Sequence, residues 1–140
     1  MKQLPSAENY SPFAKLLGIR LRRGQGAECI SEVEVSPELT NYQGVVHGGT
    51  VFALADSAMG GALYELMGSD EICKTLDVSI RYRKPAGPGL LQCRAVATKR
   101  RMRVGITECD VLKDGELIAH ADGRYYIALA CFGTEENEQS

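Results

Sequence analysis

The sequence predicts an α+β domain in which a curved antiparallel sheet wraps one long central helix. Three observations carry that expectation. Residues 49 to 67, GTVFALADSAMGGALYELM, are a helix-friendly run whose only charges are Asp56 and Glu65. A surface helix would carry a charged face opposite its apolar stripe, and this one has none, so it has to be covered on nearly all sides. Strand-like alternation dominates the chain after it, and 140 residues suffice for one core only. A sheet can hold one side of such a helix, and a second subunit closes what remains.

The elements follow in order. Ser11 and Pro12 read as an N-cap and first-turn pair for a short helix, 11–17, with Phe13, Leu16 and Leu17 on the face that meets the main body and Gly18 at its end. Ile19 to Arg22 is extended. Ala27 to Val35 alternates, with Cys29, Val33 and Val35 on one side, and Pro37 stops it. A polar loop, 38–46, leads to the central helix, about 49–67, and Gly68 to Glu71 is turn-like. Thr75 to Arg83 gives the cleanest alternation: Leu76, Val78, Ile80 and Tyr82 point one way, Thr75, Asp77, Ser79, Arg81 and Arg83 the other. PAGPG at 85–89 is a turn before a strand from Leu90 to Thr98. Strands from Val104 to Leu112 and Leu117 to Leu129 meet across Asp114-Gly115, a strong hairpin signal. A single domain, 1–133, is expected, with 134–140 (TEENEQS) a disordered acidic tail.

Composition narrows the function. A net charge of −2 argues against nucleic-acid binding through a broad basic face. MKQLPSAENYSPF lacks the apolar core of a secretory signal, and no run approaches the roughly 18 apolar residues that span a membrane, so a cytoplasmic protein without a membrane partner is expected. Five cysteines (Cys29, Cys73, Cys93, Cys109, Cys131), none in a CxxC pair, read as small buried hydrophobes in a reducing compartment. Zinc needs clustered ligands, and only His47 and His120 exist to help. No cofactor is expected.

Chemistry is expected at the central helix. Its start carries Asn41, His47, Gly48 and Gly49. Helix N-termini present free N–H groups and the positive end of the macrodipole, and glycine permits close approach, so Gly48 and Gly49 suit an oxyanion or carbonyl oxygen. For a bare Gly-Gly, a simple tight turn entering a helix is the plainer account. Gly49, Ala53, Asp56, Gly60 and Leu63 share one stripe, a groove for a slender ligand or a close-packed neighbour. Asp56 lies roughly 10 to 12 Å from the helix start at about 1.5 Å per residue, too far for both ends to meet one reacting carbon. A site that uses both therefore draws one of them from another chain.

Asn41, His47-Gly48-Gly49 and then Asp56 in an ALAD context resemble the hotdog-fold acyl-CoA thioesterases of the phenylacetate-degradation (PaaI) type. The resemblance runs on through TLDVSIRYRKPA and KDGELIAHADGRY and covers most of 11–130. It implies hydrolysis of an acyl-CoA to a carboxylic acid and free CoA, in a homodimer or a homotetramer built as a dimer of dimers. By the resemblance, the Gly48 N–H polarises the thioester carbonyl and Asp56 of the facing subunit is general base or nucleophile. Asn41 positions the carboxylate or water, and His47 fixes the turn or the thioester. Thr75 falls where the family holds the attacking water, although alternation puts it on the face away from the helix.

Gly49, Phe52, Met59 and Gly60 are expected to shape the acyl groove, with Phe52, Met59 and Leu63 setting its length. Arg101 and Arg103, in a basic cluster, would grip the phosphates of CoA, unless they simply protect a solvated turn. Acyl-carrier protein ends in the same pantetheine arm and is an alternative thiol carrier. A non-catalytic acyl-CoA-binding protein of the same fold is the competing reading, and retention of Asp56 argues against it. A hydratase would arrange its His and acid differently.

Overall fold

A computed structural model describes residues 2–5 and 11–130; Cys131 and the 134–140 tail lie outside them. The chain forms α1 (Pro12–Leu17), β1 (Arg20–Arg23), β2 (Glu28–Val35), α2 (Gly48–Ala62), β3 (Glu71–Tyr82), β4 (Gly89–Arg101), β5 (Val104–Lys113) and β6 (Glu116–Leu129). The six strands make one antiparallel sheet in the order β1-β2-β4-β5-β6-β3. The sheet curves around α2, which gives the hotdog fold. Because α2 separates β2 from β3, β3 is carried to the far edge of the sheet, where it pairs with β6 alone.

The Ser11 hydroxyl accepts from the Ala14 N–H at 3.3 Å, and Gly18 closes α1 in the left-handed region at φ 81°. The buried residue of α1 is Ala14, whereas Phe13 and Leu16 are exposed and only Leu17 is partly covered. The apolar face expected to dock is thus largely open. At the hairpin, Asp114 and Gly115 both have positive φ, 51° and 80°, as a two-residue type I′ turn requires.

Alternate residues of β2, β4 and β5 are buried under α2. Cys29, Val33 and Val35 of β2, Leu91, Cys93 and Ala95 of β4, and Val111 of β5 pack with Val51, Leu54, Ala55, Ala58 and Met59 of the helix, all buried. Each large side chain among them contributes roughly 1.5–3 kcal/mol by leaving water. Small residues set the spacing: a Cβ on Gly61 would lie 2.7 Å from the Cys29 sulfur, and one on Gly105 2.4 Å from Leu63 Cδ2.

Helix α2 is shorter than the apolar run. After Ala62 the chain tightens into a 3-10 turn, Leu63–Leu66, which satisfies carbonyls that a helix end leaves open. Arg100 takes the Leu66 carbonyl at 2.7 Å and clamps Glu71 with both terminal nitrogens, at 2.8 and 2.7 Å.

The alternation expected for residues 75–83 is corrected by a β-bulge. Thr75 pairs with Tyr125 and Asp77 with Arg124, so Leu76 has no partner on β6 and is 55% exposed. The extra residue switches the parity of the strand. Thr75 therefore faces α2, on the same side as Val78, Ile80 and Tyr82.

Candidate active site

The start of α2 is held from several directions. The segment before it is stapled by Asn41, whose Oδ1 accepts from the N–H groups of Gln43 (2.9 Å) and Val45 (3.3 Å). Val46 N–H donates to the Ala86 carbonyl and His47 N–H to that of Leu39. His47 is the N-cap, and its Nδ1 accepts from the Gly49 N–H at 2.8 Å; the ring proton is then on Nε2. The N–H groups of Thr50 and Val51 reach the His47 carbonyl. Among the described residues the Gly48 N–H has no acceptor. Its carbonyl, in the next peptide, accepts from the Tyr82 hydroxyl at 2.8 Å, so Gly48 is held on that side while its donor stays open.

Asp56 sits mid-helix and is half-buried rather than enclosed. Its Oδ1 accepts two hydroxyl hydrogen bonds, from Thr75 at 2.9 Å and Tyr125 at 2.8 Å. Oδ2 has no donor among the described residues. The Tyr125 hydroxyl also lies 3.1 Å from the Asp56 carbonyl oxygen. Burial, and then the Asp56 charge, push the Tyr125 phenol far above its usual range, so it remains a donor. Gly123 makes room for its ring, since a Cβ there would lie 3.1 Å away, and Gly60 flanks the ring at a distance, 3.6 Å, that a Cβ could share as ordinary contact.

Asp56 opens on a cavity of about 530 Å³ with Phe13, Leu21, Phe52 and Tyr64 on its apolar walls and Ser57 and Thr75 beside the acid. Gly49 and Gly60 also line it. So does Cys73, whose thiol burial raises to about 11 and which is therefore neutral at ordinary pH. Gly48 opens instead on a separate cavity of about 300 Å³, with Val46, Tyr82, Arg83 and Lys84. The chain does not bring its open N–H and its acid together.

Three of the expected residues, Met59, Leu63 and Asn41, are placed differently from expectation. Met59 and Leu63 are fully buried (0% exposed); both turn toward the sheet, where Met59 approaches Gly123 and Leu63 packs over Gly105, so neither lines the groove. Arg101 and Arg103 are exposed at the turn between β4 and β5, outside both cavities. Asn41 spends its side-chain oxygen on its own loop. Phe52 and Gly60 do line the groove, and Thr75 does touch Asp56.

Sequence reasoning missed Tyr125, Tyr82 and the contribution of Phe13 and Tyr64 to the groove walls. A signal for Tyr125 was present, since a tyrosine two residues after a glycine on an inward strand face has both space and a hydroxyl that must find a partner. Among the described residues no three of His, Cys, Asp or Glu come together as a metal-holding group, and no helix is long and apolar enough to cross a membrane.

A model of the thioesterase superfamily matches residues 43–119, more than half of the chain. A conserved protein from Pseudomonas aeruginosa is 26% identical, with 89% of this chain and 100% of that one covered and a TM-score of 0.83. A mutant of the phenylacetic acid degradation protein PaaI from Thermus thermophilus is 27% identical, covering 83% of this chain and 98% of that one, with a TM-score of 0.75. The Escherichia coli PaaI protein, at 21% identity over 88% of each chain and a TM-score of 0.76, is similar in fold. No curated protein sequence matches.

Proposed function

The chain belongs to the thioesterase superfamily, and from that premise we propose that it hydrolyses acyl-CoA thioesters to a carboxylic acid and free CoA at sites shared between two subunits. One observation carries the shared site: Gly48, whose N–H is unpaired, and Asp56 line different cavities, roughly 12 Å apart along one helix. A second copy resolves that separation by bringing its own Asp56 to the first copy's Gly48. β3 supports such an assembly, because it is a long edge strand with one side unpaired.

In this reading the thioester carbonyl oxygen lies on the Gly48 N–H at the positive end of α2, where developing negative charge is stabilised. Asp56 of the partner subunit takes a proton from water as the water oxygen bonds to the acyl carbon, or attacks that carbon itself to form a mixed anhydride that water then hydrolyses, releasing the acid and restoring the carboxylate. The C–S bond breaks, and CoA leaves as the thiol once the proton is passed to its sulfur. Thr75 orients the carboxylate, Asn41 and His47 hold the loop that presents Gly48, and Gly49, Phe52 and Gly60 shape the acyl groove. Arg101 and Arg103, which have no salt-bridge partner among the described residues, are the cations proposed for the CoA phosphates. Acyl-carrier protein would present the same pantetheine thioester.

The test is thiol release from short, medium, long-chain and aromatic acyl-CoAs. Wild type is expected to turn over at least one class, and Asp56→Ala to lose about 100-fold or more. Tight binding with no thiol release by wild type would instead favour an acyl-CoA-binding protein. Mixed dimers of Asp56→Ala and Gly48→Pro chains should regain activity; none in verified mixed dimers would refute the shared site.

A further inference from the structure

We propose that Tyr125 is a positioning residue for the reaction: it holds Asp56 so that Oδ2 faces the substrate, and it keeps a hydrogen bond when the carboxylate loses its charge. The inference rests on the hydrolase reading of Asp56.

The geometry separates the two carboxylate oxygens. Thr75 and Tyr125 both donate to Oδ1, at 2.9 and 2.8 Å, so the atom left for water or an acyl carbon is Oδ2. The two donors are not equivalent. Within one chain Thr75 is exposed and belongs to an edge strand, so no packing inside the chain holds its hydroxyl on Oδ1. Tyr125 is 1% exposed, and its ring is confined between Gly60 and Gly123, so it fixes Oδ1 with a side chain that has little freedom.

Its second acceptor matters during turnover. Whether Oδ2 takes a proton from water or bonds to the acyl carbon, the carboxylate becomes neutral and Oδ1 a weaker acceptor. A buried phenol with no other acceptor would oppose that step, because an unsatisfied buried donor is costly. The Tyr125 hydroxyl has the Asp56 carbonyl oxygen within 3.1 Å. A small rotation about the C–O bond moves its proton from one acceptor to the other without moving the ring. Charge can thus leave Asp56 and return in each cycle with the donor satisfied throughout.

Tyr125→Phe keeps the ring and removes only the hydroxyl. It should lower kcat roughly 10- to 100-fold with KM within about twofold of wild type. In an Asp56→Asn background, where no carboxylate remains to be held, the same change should alter the residual kcat by less than about twofold. An equal loss in both backgrounds would make Tyr125 a packing residue and overturn the proposal, as would wild-type kcat in Tyr125→Phe. If Tyr125→Phe folds poorly, Thr75→Val, which leaves the tyrosine in place, decides instead. Its loss of kcat should stay below about tenfold, because Tyr125 still fixes Oδ1; a loss of about 100-fold would assign the positioning to Thr75 and overturn the proposal. Failure of wild type itself to release thiol defeats the hydrolase reading and this inference together, whereas the outcomes above defeat the inference alone.

Discussion

Thr75 and Tyr82 both hydrogen-bond to α2, yet they lie an odd number of positions apart on β3, a spacing that a regular strand puts on opposite faces. The unpaired Leu76 supplies the missing step. Deleting Leu76 leaves Thr75 and Val78 two positions apart, so a regular strand would keep both contacts and the pairing with β6. That variant should fold with a loss of about 1 kcal/mol or less and retain thiol release within roughly tenfold. Deleting Ser79 instead removes a residue from the regular part of the strand and sets the two halves at odds. Either the bulge stays and Thr75 or Tyr82 turns outward, or it is lost and Asp77 takes the inward place of Val78, at a cost of roughly 2 kcal/mol or more and with thiol release reduced. Denaturant unfolding and thiol release compare the two, and equal losses would show that Leu76 is more than a spacer.

The bulge also marks where the sequence stops being legible. Alternation located β3 and even its apolar half, because Val78, Ile80 and Tyr82 follow the rule. It misplaced Thr75 because an inserted residue leaves no trace in a run of mixed polar and β-branched residues. The helix, the hairpin at Asp114-Gly115 and the stripe from Gly49 to Gly60 were readable from local chemistry. The burial of Met59 and the partner of Tyr125 were not, since a helical wheel does not say where the sheet curves, and Tyr125 meets Asp56 across a large separation in sequence.

His47 is the N-cap of α2 through its ring nitrogen. His47→Ala should cost about 1 kcal/mol and lower Tm by about 4 °C, with His47→Asn recovering most of it. Thermal unfolding of the three proteins is the measurement. Equal melting temperatures would remove the cap from the account.

Gly60 and Gly61 are neighbours with opposite expectations. A Cβ on Gly60 would meet only ordinary contact with the Tyr125 ring, at 3.6 Å, whereas one on Gly61 would collide with the Cys29 sulfur at 2.7 Å. Gly60→Ala should be neutral or stabilising by up to about 1 kcal/mol. Gly61→Ala should cost roughly 1–3 kcal/mol. Gly60→Leu, which projects into the Asp56 cavity, should raise KM most for the bulkiest acyl group accepted. Unchanged KM across the acyl panel would take the groove out of substrate selection.

Hydrogen bonds from Arg100 and then from the Gly68 N–H hold the Glu71 carboxyl at about 2, below its ordinary 4.5. A depressed carboxyl contributes stability that is complete above the unfolded value and is lost as pH falls through the folded one. The contribution should therefore fade between about pH 4.5 and about pH 2. Tm of wild type should fall more steeply over that window than Tm of Glu71→Gln. Parallel curves would show that the Arg100 clamp adds no pH dependence.

Helix α2 separates two design variables by direction. Along its axis, the positions of Gly48 and Asp56 are tied to the backbone rise, so inserting or deleting one residue between them would turn the acid by roughly 100° and no side-chain adjustment could restore it. Across the axis, Phe52, Ala53 and Gly60 set the width of the groove and can change size one at a time. On the proposed reading, acyl preference is therefore free to drift by point substitution while the spacing of the two half-sites along the helix is inherited unchanged.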